Sequence, residues 1–271
     1  MDLQRIAFIG GGNMAGALIG GLIRSGVAPD TLVVVEPVAA QRERLAQTWG
    51  VAARPAADAA LADAGLVVWA VKPQHFAAAA APCRPFVDGA LQLSVMAGVR
   101  SDAIVRASGS ERVVRAMPNT PALIGQGIAG LYARPAVGAD ERQLVERLLA
   151  PTGATLWVAR EADLDAVTAL SGSGPAYVFY LIESMTTAAR EMGLDEAQGR
   201  ALAQATVAGA AALAMQSAES PATLRAQVTS KGGTTHAAIS ALEAAGVGPA
   251  IVAAIRAAER RARELGDELG G

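Results

Sequence analysis

The sequence predicts a two-domain protein: an α/β domain built on a mainly parallel sheet, followed by an all-α domain. Three observations carry this. Short apolar runs alternate with helical stretches up to about residue 160, a glycine-rich turn follows the first run, and no strand-like run remains from Asp163 onward. Apolar residues are 52% of the 271 and charged residues 18%, which excludes a disordered chain and supplies a sizeable core.

In order, "RIAFIG" reads as a strand ending in glycine, and "NMAGALIGGLIRSG" spaces Met14, Leu18, Leu22 and Ile23 as a helix that stops at Gly26. "TLVVVEP" is a β-branched apolar run, and "AAQRERLAQTWG" is a charged-faced helix closing at Gly50. The alternation continues through "GLVVWAV", "PQHFAAAAA", "ALQLSVMAGV", "SDAIVRASG" and "ERVVRAMP". These apolar runs are continuous rather than alternating, the mark of strands buried on both faces of a parallel sheet. "GIAGLYA", "DERQLVERLLA" and "GATLWV" add two strands and a helix. Long Ala-rich helical stretches follow, with few large residues, a composition that suits close helix packing against a second copy of the chain. The boundary is placed at 162, giving domains 1–162 and 163–271.

Composition removes several function classes. A formal charge of −2 and 4% aromatic residues offer no footprint for nucleic acid. Cys83 is the single cysteine, so no intrachain disulfide forms, and a buried thiol is the better reading than a nucleophile. The opening "MDLQRIAFIGGG" lacks the order of a signal peptide and no apolar run is long enough for a bilayer, so a cytoplasmic protein without a membrane partner is expected. No H-E-x-x-H, Cys/His cluster or G-x-S-x-G elbow is present, so no metal site is expected.

Gly10, Gly12 and Ala15 fit the dinucleotide fingerprint G-x-G-x-x-G/A between a strand and a helix, the arrangement of a Rossmann-type domain. Gly10 allows the tight turn, Gly12 lets the backbone approach a pyrophosphate, and Ala15 lets helix and strand pack closely. Glu36 closes the second strand, where an acid hydrogen-bonds the adenosine ribose and repels a 2′-phosphate, which favours NADH over NADPH. Arg42 and Arg44 lie on the next helix, within reach of a phosphate or on a solvated face. "AVKP" (70–73) closes a strand at the ligand-binding edge of the sheet, with Lys72 one of two lysines against twenty-one arginines. "RAMPNTP" brings Asn119 to the same edge as an amide able to orient a nicotinamide. "SGSGPAY" opens a long helix, so Ser171 and Ser173 read as a cap or a domain junction. Finally, "TSKGGTTHAAI" passes from loop into helix. It leaves N–H groups around Gly233, Thr234 and Thr235 free for a small carboxylate; a glycine-containing helix–helix turn is the alternative.

"IGGGNMAGALIGGL", "AVKPQ", "MPNTP", "SGSGPAYVFYLIE" and "VTSKGGTTHAAI" together resemble the pyrroline-5-carboxylate reductases, over essentially the whole chain. The resemblance implies reduction of L-1-pyrroline-5-carboxylate to L-proline, the last step of proline biosynthesis, with NADPH or NADH. It also implies a helical domain shared with a partner chain in a dimer or a larger dimer-based oligomer. It places the nucleotide loop on Ile9, Gly10, Gly11, Gly12, Asn13 and Met14. The nicotinamide-side segments fall on Ala70, Val71, Lys72 and Pro73 and on Val95, Met96 and Ala97. The substrate loop falls on Ser230, Gly232, Gly233, Thr234 and Thr235, with the Thr235 hydroxyl on the imine nitrogen. Two departures concern the cofactor. Some members have an asparagine near the position of Ala57, and many have a small or basic residue where this chain has Glu36. Against a hydroxyacid-dehydrogenase type of reductase, "SGSGPAYVFYLIESM" carries no lysine. Against a nucleotide sensor without turnover stands the intact substrate loop.

Overall fold

The structure, a computed structural model, describes residues 5–269. The chain forms two compact units. The first runs to Ser173 and takes up the chain again from Ala258; the second is Gly174–Ala257.

The strands of the first unit are β1 (Ile6–Ile9), β2 (Leu32–Val35), β3 (Leu66–Trp69), β4 (Leu91–Ser94), β5 (Val113–Met117), β6 (Gly127–Ala133) and β7 (Gly153–Trp157). Its helices are α1 (Asn13–Arg24), α2 (Ala39–Trp49), α3 (Phe76–Ala80), α4 (Arg84–Val87), α5 (Ser101–Ser108), α6 (Ala139–Leu149) and α7 (Asp163–Val167). The sheet order is β2-β1-β3-β4-β5-β6-β7. β1 to β5 are parallel and β5–β6 is antiparallel, with β7 parallel to β6. The reversal follows from the link between β5 and β6, which holds only a short 3₁₀ turn (Thr120–Ile124) instead of the crossover helix a parallel return needs.

Every residue of the first four strands is buried, and successive side chains divide between two cores. Ile6 and Phe8 join Leu18, Leu22, Leu45 and Val145 on one face. Ala7 and Ile9 join Trp69, Phe76, Val87 and Ile104 on the other. Trp69 donates its indole N–H to Gln92 Oε1 at 2.8 Å, and the fully buried Gln92 amide in turn donates to the Val87 and Ala90 carbonyls. Each polar atom of this buried pair thereby has a partner. On α1, Gly20 takes the edge of Trp49, since a Cβ there would lie 2.3 Å from the ring. Trp157 donates to Glu146 on α6.

Strands end where expected at about 160, but packing does not. Val167 of α7 lies against Gly130 of β6, and Gly172 lies against Met117 of β5. Arg100 pairs with Asp165 at 3.0 Å. These contacts carry the first unit past the boundary placed at 162.

The second unit holds α8 (Gly174–Glu191), α9 (Glu196–Gln216), α10 (Pro221–Gln227), α11 (Thr234–Ala244) and the first half of α12 (Val247–Leu269). The last turns of α12 belong to the first unit, where Gly266 receives the Arg100 guanidinium and Leu269 meets Gly98. α8 and α9 approach closely because Gly199 faces Ala189, whose Cβ would be 2.8 Å from a Cβ at Gly199. Between 174 and 257 only Ala189, Gly199 and Ala203 are buried within the chain. Among the described residues no single helix is long and apolar enough to cross a membrane.

Candidate active site

β1 sits between β2 and β3, so the connections leaving β1 and β3 part to opposite sides and open a crevice at the carboxyl edge of the sheet. Gly10 makes the turn out of β1 with φ 102°, its N–H on the Val35 carbonyl at 2.8 Å. A Cβ on Gly10 would stand 2.6 Å from the Ala70 carbonyl oxygen, so only glycine lets the two connections pass. Gly12 differs: a Cβ there meets nothing within 4 Å, and the residue lines a cavity of about 680 Å³. Gly12 is also the N-cap of α1 and supplies no side-chain cap, so the first N–H groups of that helix lack a side-chain acceptor there. An open glycine cradle at a helix N-terminus is what a dinucleotide diphosphate requires.

The structure gathers Ile9, Gly10, Gly12, Glu36, Ala70, Val71 and Lys72 round this cavity. Glu36 is 7% exposed, and its two oxygens accept the Gly11 and Val38 N–H groups, both at 2.8 Å. Gly11 therefore serves Glu36 directly. Arg42 turns onto the Glu36 and Pro37 carbonyls, and Arg44 reaches Asn13 Oδ1 at 3.5 Å. Asn13 and Met14 begin α1; Asn13 faces a separate small cavity beside Arg44. Pro73 likewise borders another cavity, on the α3–α5 side.

Val95, Met96 and Ala97 follow β4, with the Val95 N–H on the Trp69 carbonyl at 3.1 Å. Met96 is buried in the second core and donates its N–H to Ser94 Oγ at 3.2 Å, so its side chain is not offered to a ligand. Asn119 is committed inside the protein. Its Oδ1 accepts the Ile128 N–H at 3.0 Å and its Nδ2 donates to the Ser171 carbonyl at 3.2 Å. The Ser171 carbonyl lies in a π-helical turn (Thr168–Gly172), where the wider ladder runs from the Ser173 N–H to the Thr168 carbonyl at 2.8 Å. Ser171 is not a cap, because its hydroxyl turns back to the Val167 carbonyl; the junction reading fits the division of the units after Ser173. Cys83 is buried, its thiol donates to the Ala79 carbonyl, and burial pushes it up to about 11.

His75 and Gln41 also line the cavity, although neither is singled out by motif. His75 follows Lys72 by one 3₁₀ turn, a spacing that returns it to the same wall. Gln41 lies in the first turn of α2 beside Glu36, where its distance from the glycines hides it in sequence.

In the second unit, the loop before α11 contains Ser230, Gly232 and Gly233. Gly232 has φ 75°, and Ser230 folds over Gly233, whose Cβ would lie 2.6 Å from Ser230 Oγ. The Gly233 N–H is not free, because it donates to the Ser230 carbonyl at 3.0 Å. The open donors are instead those of Thr234 and Thr235, the first residues of α11, which has no side-chain cap. Thr235 is half-buried and Thr234 exposed.

Residues 161–265 match the family described as pyrroline-5-carboxylate reductase dimerisation, and residues 5–98 match NADP oxidoreductase coenzyme F420-dependent. The pyrroline-5-carboxylate reductase of Pseudomonas aeruginosa is 42% identical over 272 residues, covering 100% of both chains. A solved pyrroline-5-carboxylate reductase from Coxiella burnetii superposes with a TM-score of 0.91 at 35% identity, over 97% of this chain and 99% of that one. The Plasmodium falciparum pyrroline carboxylate reductase with NADP bound gives 0.87 at 25% identity, over 98% and 99%.

Proposed function

We propose, from the premise that this chain belongs to the pyrroline-5-carboxylate reductase family, that it takes NADH in preference to NADPH and holds its substrate at the start of α11. It is an NAD(P)H-dependent oxidoreductase that reduces L-1-pyrroline-5-carboxylate to L-proline, and it self-associates through residues 161–265.

The observation that carries the cofactor reading is the charge lining the cavity. The Glu36 carboxylate is fixed at its wall by two backbone N–H groups, and among the described residues no arginine lines it. A 2′-phosphate would meet that carboxylate, while Arg42 is spent on backbone carbonyls. Lys72 and His75 are the basic side chains that do line the cavity.

When bound, the reduced nicotinamide supplies a hydride to the imine carbon. The chain's own task is positioning. The Gly10–Gly12 turn and the start of α1 receive the diphosphate, with backbone segments Ala70–Pro73 and Val95–Ala97 on the nicotinamide side. Thr234 and Thr235 offer N–H groups at a helix N-terminus to the substrate carboxylate, where the helix dipole adds to the attraction. The Thr235 hydroxyl steadies the ring nitrogen as its charge changes. A protonated imine is already electrophilic, so this arrangement needs no histidine base; His236, in the first turn of α11, is left without a proton-transfer role.

Initial rates with L-1-pyrroline-5-carboxylate and each reduced cofactor test the reading. The expected kcat/KM is about tenfold or more higher with NADH, the scale of one unfavourable charge contact. Equal rates, or faster turnover with NADPH, would overturn the cofactor preference and leave the reaction standing.

A further inference from the structure

The chain leaves the first unit between Ser173 and Gly174, and the segment just before that passage is irregular. α7 runs into the π-helical turn (Thr168–Gly172) and a bend at Ser173 before α8 begins. Pro175, in the first turn of α8, accounts for the break. In an unbroken helix the Ser171 carbonyl would accept the N–H of residue 175. Proline has no N–H, and its ring collides with the carbonyl four residues earlier. The Ser171 carbonyl thereby loses its helical donor, and a backbone carbonyl left unpaired away from water is costly.

Asn119 supplies a donor from the loop after β5. Its Nδ2 donates to the Ser171 carbonyl at 3.2 Å while its Oδ1 accepts the Ile128 N–H at 3.0 Å. One partner is an acceptor and the other a donor, so together they fix which way the amide points, and a carboxylate could satisfy only the second. The Met117 side chain, at the end of β5, packs on Gly172, the next residue of the same turn. One polar and one apolar contact from β5 and its loop therefore hold the π-turn. Turns of this wide type are rare and gather at functional sites.

Under the proposed placement of the ligands, the cofactor is held in the first unit and the substrate at the start of α11 in the second. Hydride transfer needs the reacting atoms about 3–3.5 Å apart, so a joint free to change conformation slows the reaction without loosening either binding site. We propose that Asn119 is a positioning residue for hydride transfer: it supplies the donor that Pro175 cannot, and so holds the joint before α8 in one conformation. This rests on that placement of cofactor and substrate. Both polar ends of Asn119 are engaged within the protein, so it acts through the turn and not on the ligands.

The test uses the purified full-length protein, Asn119→Asp, Asn119→Ala, Pro175→Ala and the double variant Asn119→Ala with Pro175→Ala. The readouts are initial rates with L-1-pyrroline-5-carboxylate, calorimetric titration of NADH, and melting temperature. Asn119→Asp keeps the acceptor for the Ile128 N–H and puts an oxygen in place of the donor. Its kcat is expected to fall about tenfold, with KM for the substrate and Kd for NADH within about twofold of the wild type. Pro175→Ala returns an N–H to the Ser171 carbonyl, so Asn119→Ala is expected to lower kcat about tenfold alone but less than about threefold in that background. Equal losses in the two backgrounds, or unchanged kcat in folded Asn119→Asp, would overturn the role. A raised KM or Kd with kcat intact would also overturn it and make Asn119 a ligand contact. If neither single variant of Asn119 folds, the residue belongs to the fold alone and the proposal fails. A folded wild type without turnover would instead remove the reaction on which the inference rests.

Discussion

Glu36 acts twice with one side chain. Its carboxylate ties the Gly11 turn to the start of α2 through two N–H bonds, and the same charge faces the cavity. Glu36→Gln keeps an acceptor for one of those bonds and removes the charge. The variant is expected to gain about tenfold in the NADPH-to-NADH ratio of kcat/KM, measured by initial rates, at a small cost in melting temperature. Thr235 separates binding from chemistry in another way. Thr235→Ala keeps the backbone N–H that receives the carboxylate but loses the hydroxyl. We expect kcat to fall roughly tenfold or more with a smaller change in KM; full activity in a folded variant would remove the hydroxyl from the mechanism. The sequence points to both residues because each closes a motif. Other residues it could not resolve. Asn119 has the chemistry to orient a ring amide, but its two ends are engaged by the Ile128 N–H and the Ser171 carbonyl, partners remote in the chain.

Elements were legible where local pattern decides them. The strands through β3 read as unbroken apolar runs because both faces are covered, whereas β4 buries the polar Gln92 and Ser94, and the helices of the second unit read from the spacing of small residues. The direction of β6 was not legible, because it depends on the path of the turn at Thr120–Ile124 rather than on the composition of the strand. Helix glycines show the same limit. Gly16 and Gly20 are alike in sequence, yet a Cβ at Gly16 meets nothing within 4 Å while one at Gly20 would enter the Trp49 ring. Gly16→Ala is expected to stabilise by about 0.5–1 kcal/mol through helix propensity, and Gly20→Ala to destabilise by about 1–3 kcal/mol through overpacking, both read by denaturant unfolding. A second element-scale device ties β5 to the segment before α7. Glu161 accepts the Ser101 N–H and hydroxyl, each at 2.6 Å, and pairs with Arg115 at 2.8 Å. Burial pushes the Glu161 carboxyl up, but the Ser101 and Arg115 hydrogen bonds outweigh it and hold the group below its ordinary 4.5. A carboxyl lowered on folding stabilises above that ordinary value, and the contribution is lost as pH falls through the folded one. Melting temperature is therefore expected to drop as pH falls below about 4.5. Glu161→Gln should flatten that limb while costing about 1–3 kcal/mol at neutral pH.

At the scale of the whole molecule, the two units differ in where their apolar surface goes. The first encloses its own cores on both faces of the sheet. The second buries only three small residues and exposes Phe179, Tyr180, Leu213, Met215 and Ile251. No charged residue occurs from 201 to 216, so α9 beyond Arg200 is apolar or neutral all round, as a helix enclosed by other helices would be. A unit built this way draws its stability from association, in keeping with the dimerisation family its residues match. Leu213→Glu is expected to weaken self-association about tenfold or more, seen as a shift to the monomer in a sedimentation dilution series. An unchanged mass at every concentration would place Leu213 outside the interface. The tryptophans divide along the same line. Trp49, Trp69 and Trp157 all lie in the first unit, one on Gly20, one bonded to Gln92 and one to Glu146, and the segment 174–257 has none. Indole emission thus monitors the nucleotide-binding unit alone, while far-ultraviolet dichroism is weighted toward the long helices of the other. The chain carries its own pair of optical reporters, and a melt followed by both signals separates the loss of one unit from the loss of the other without any added label.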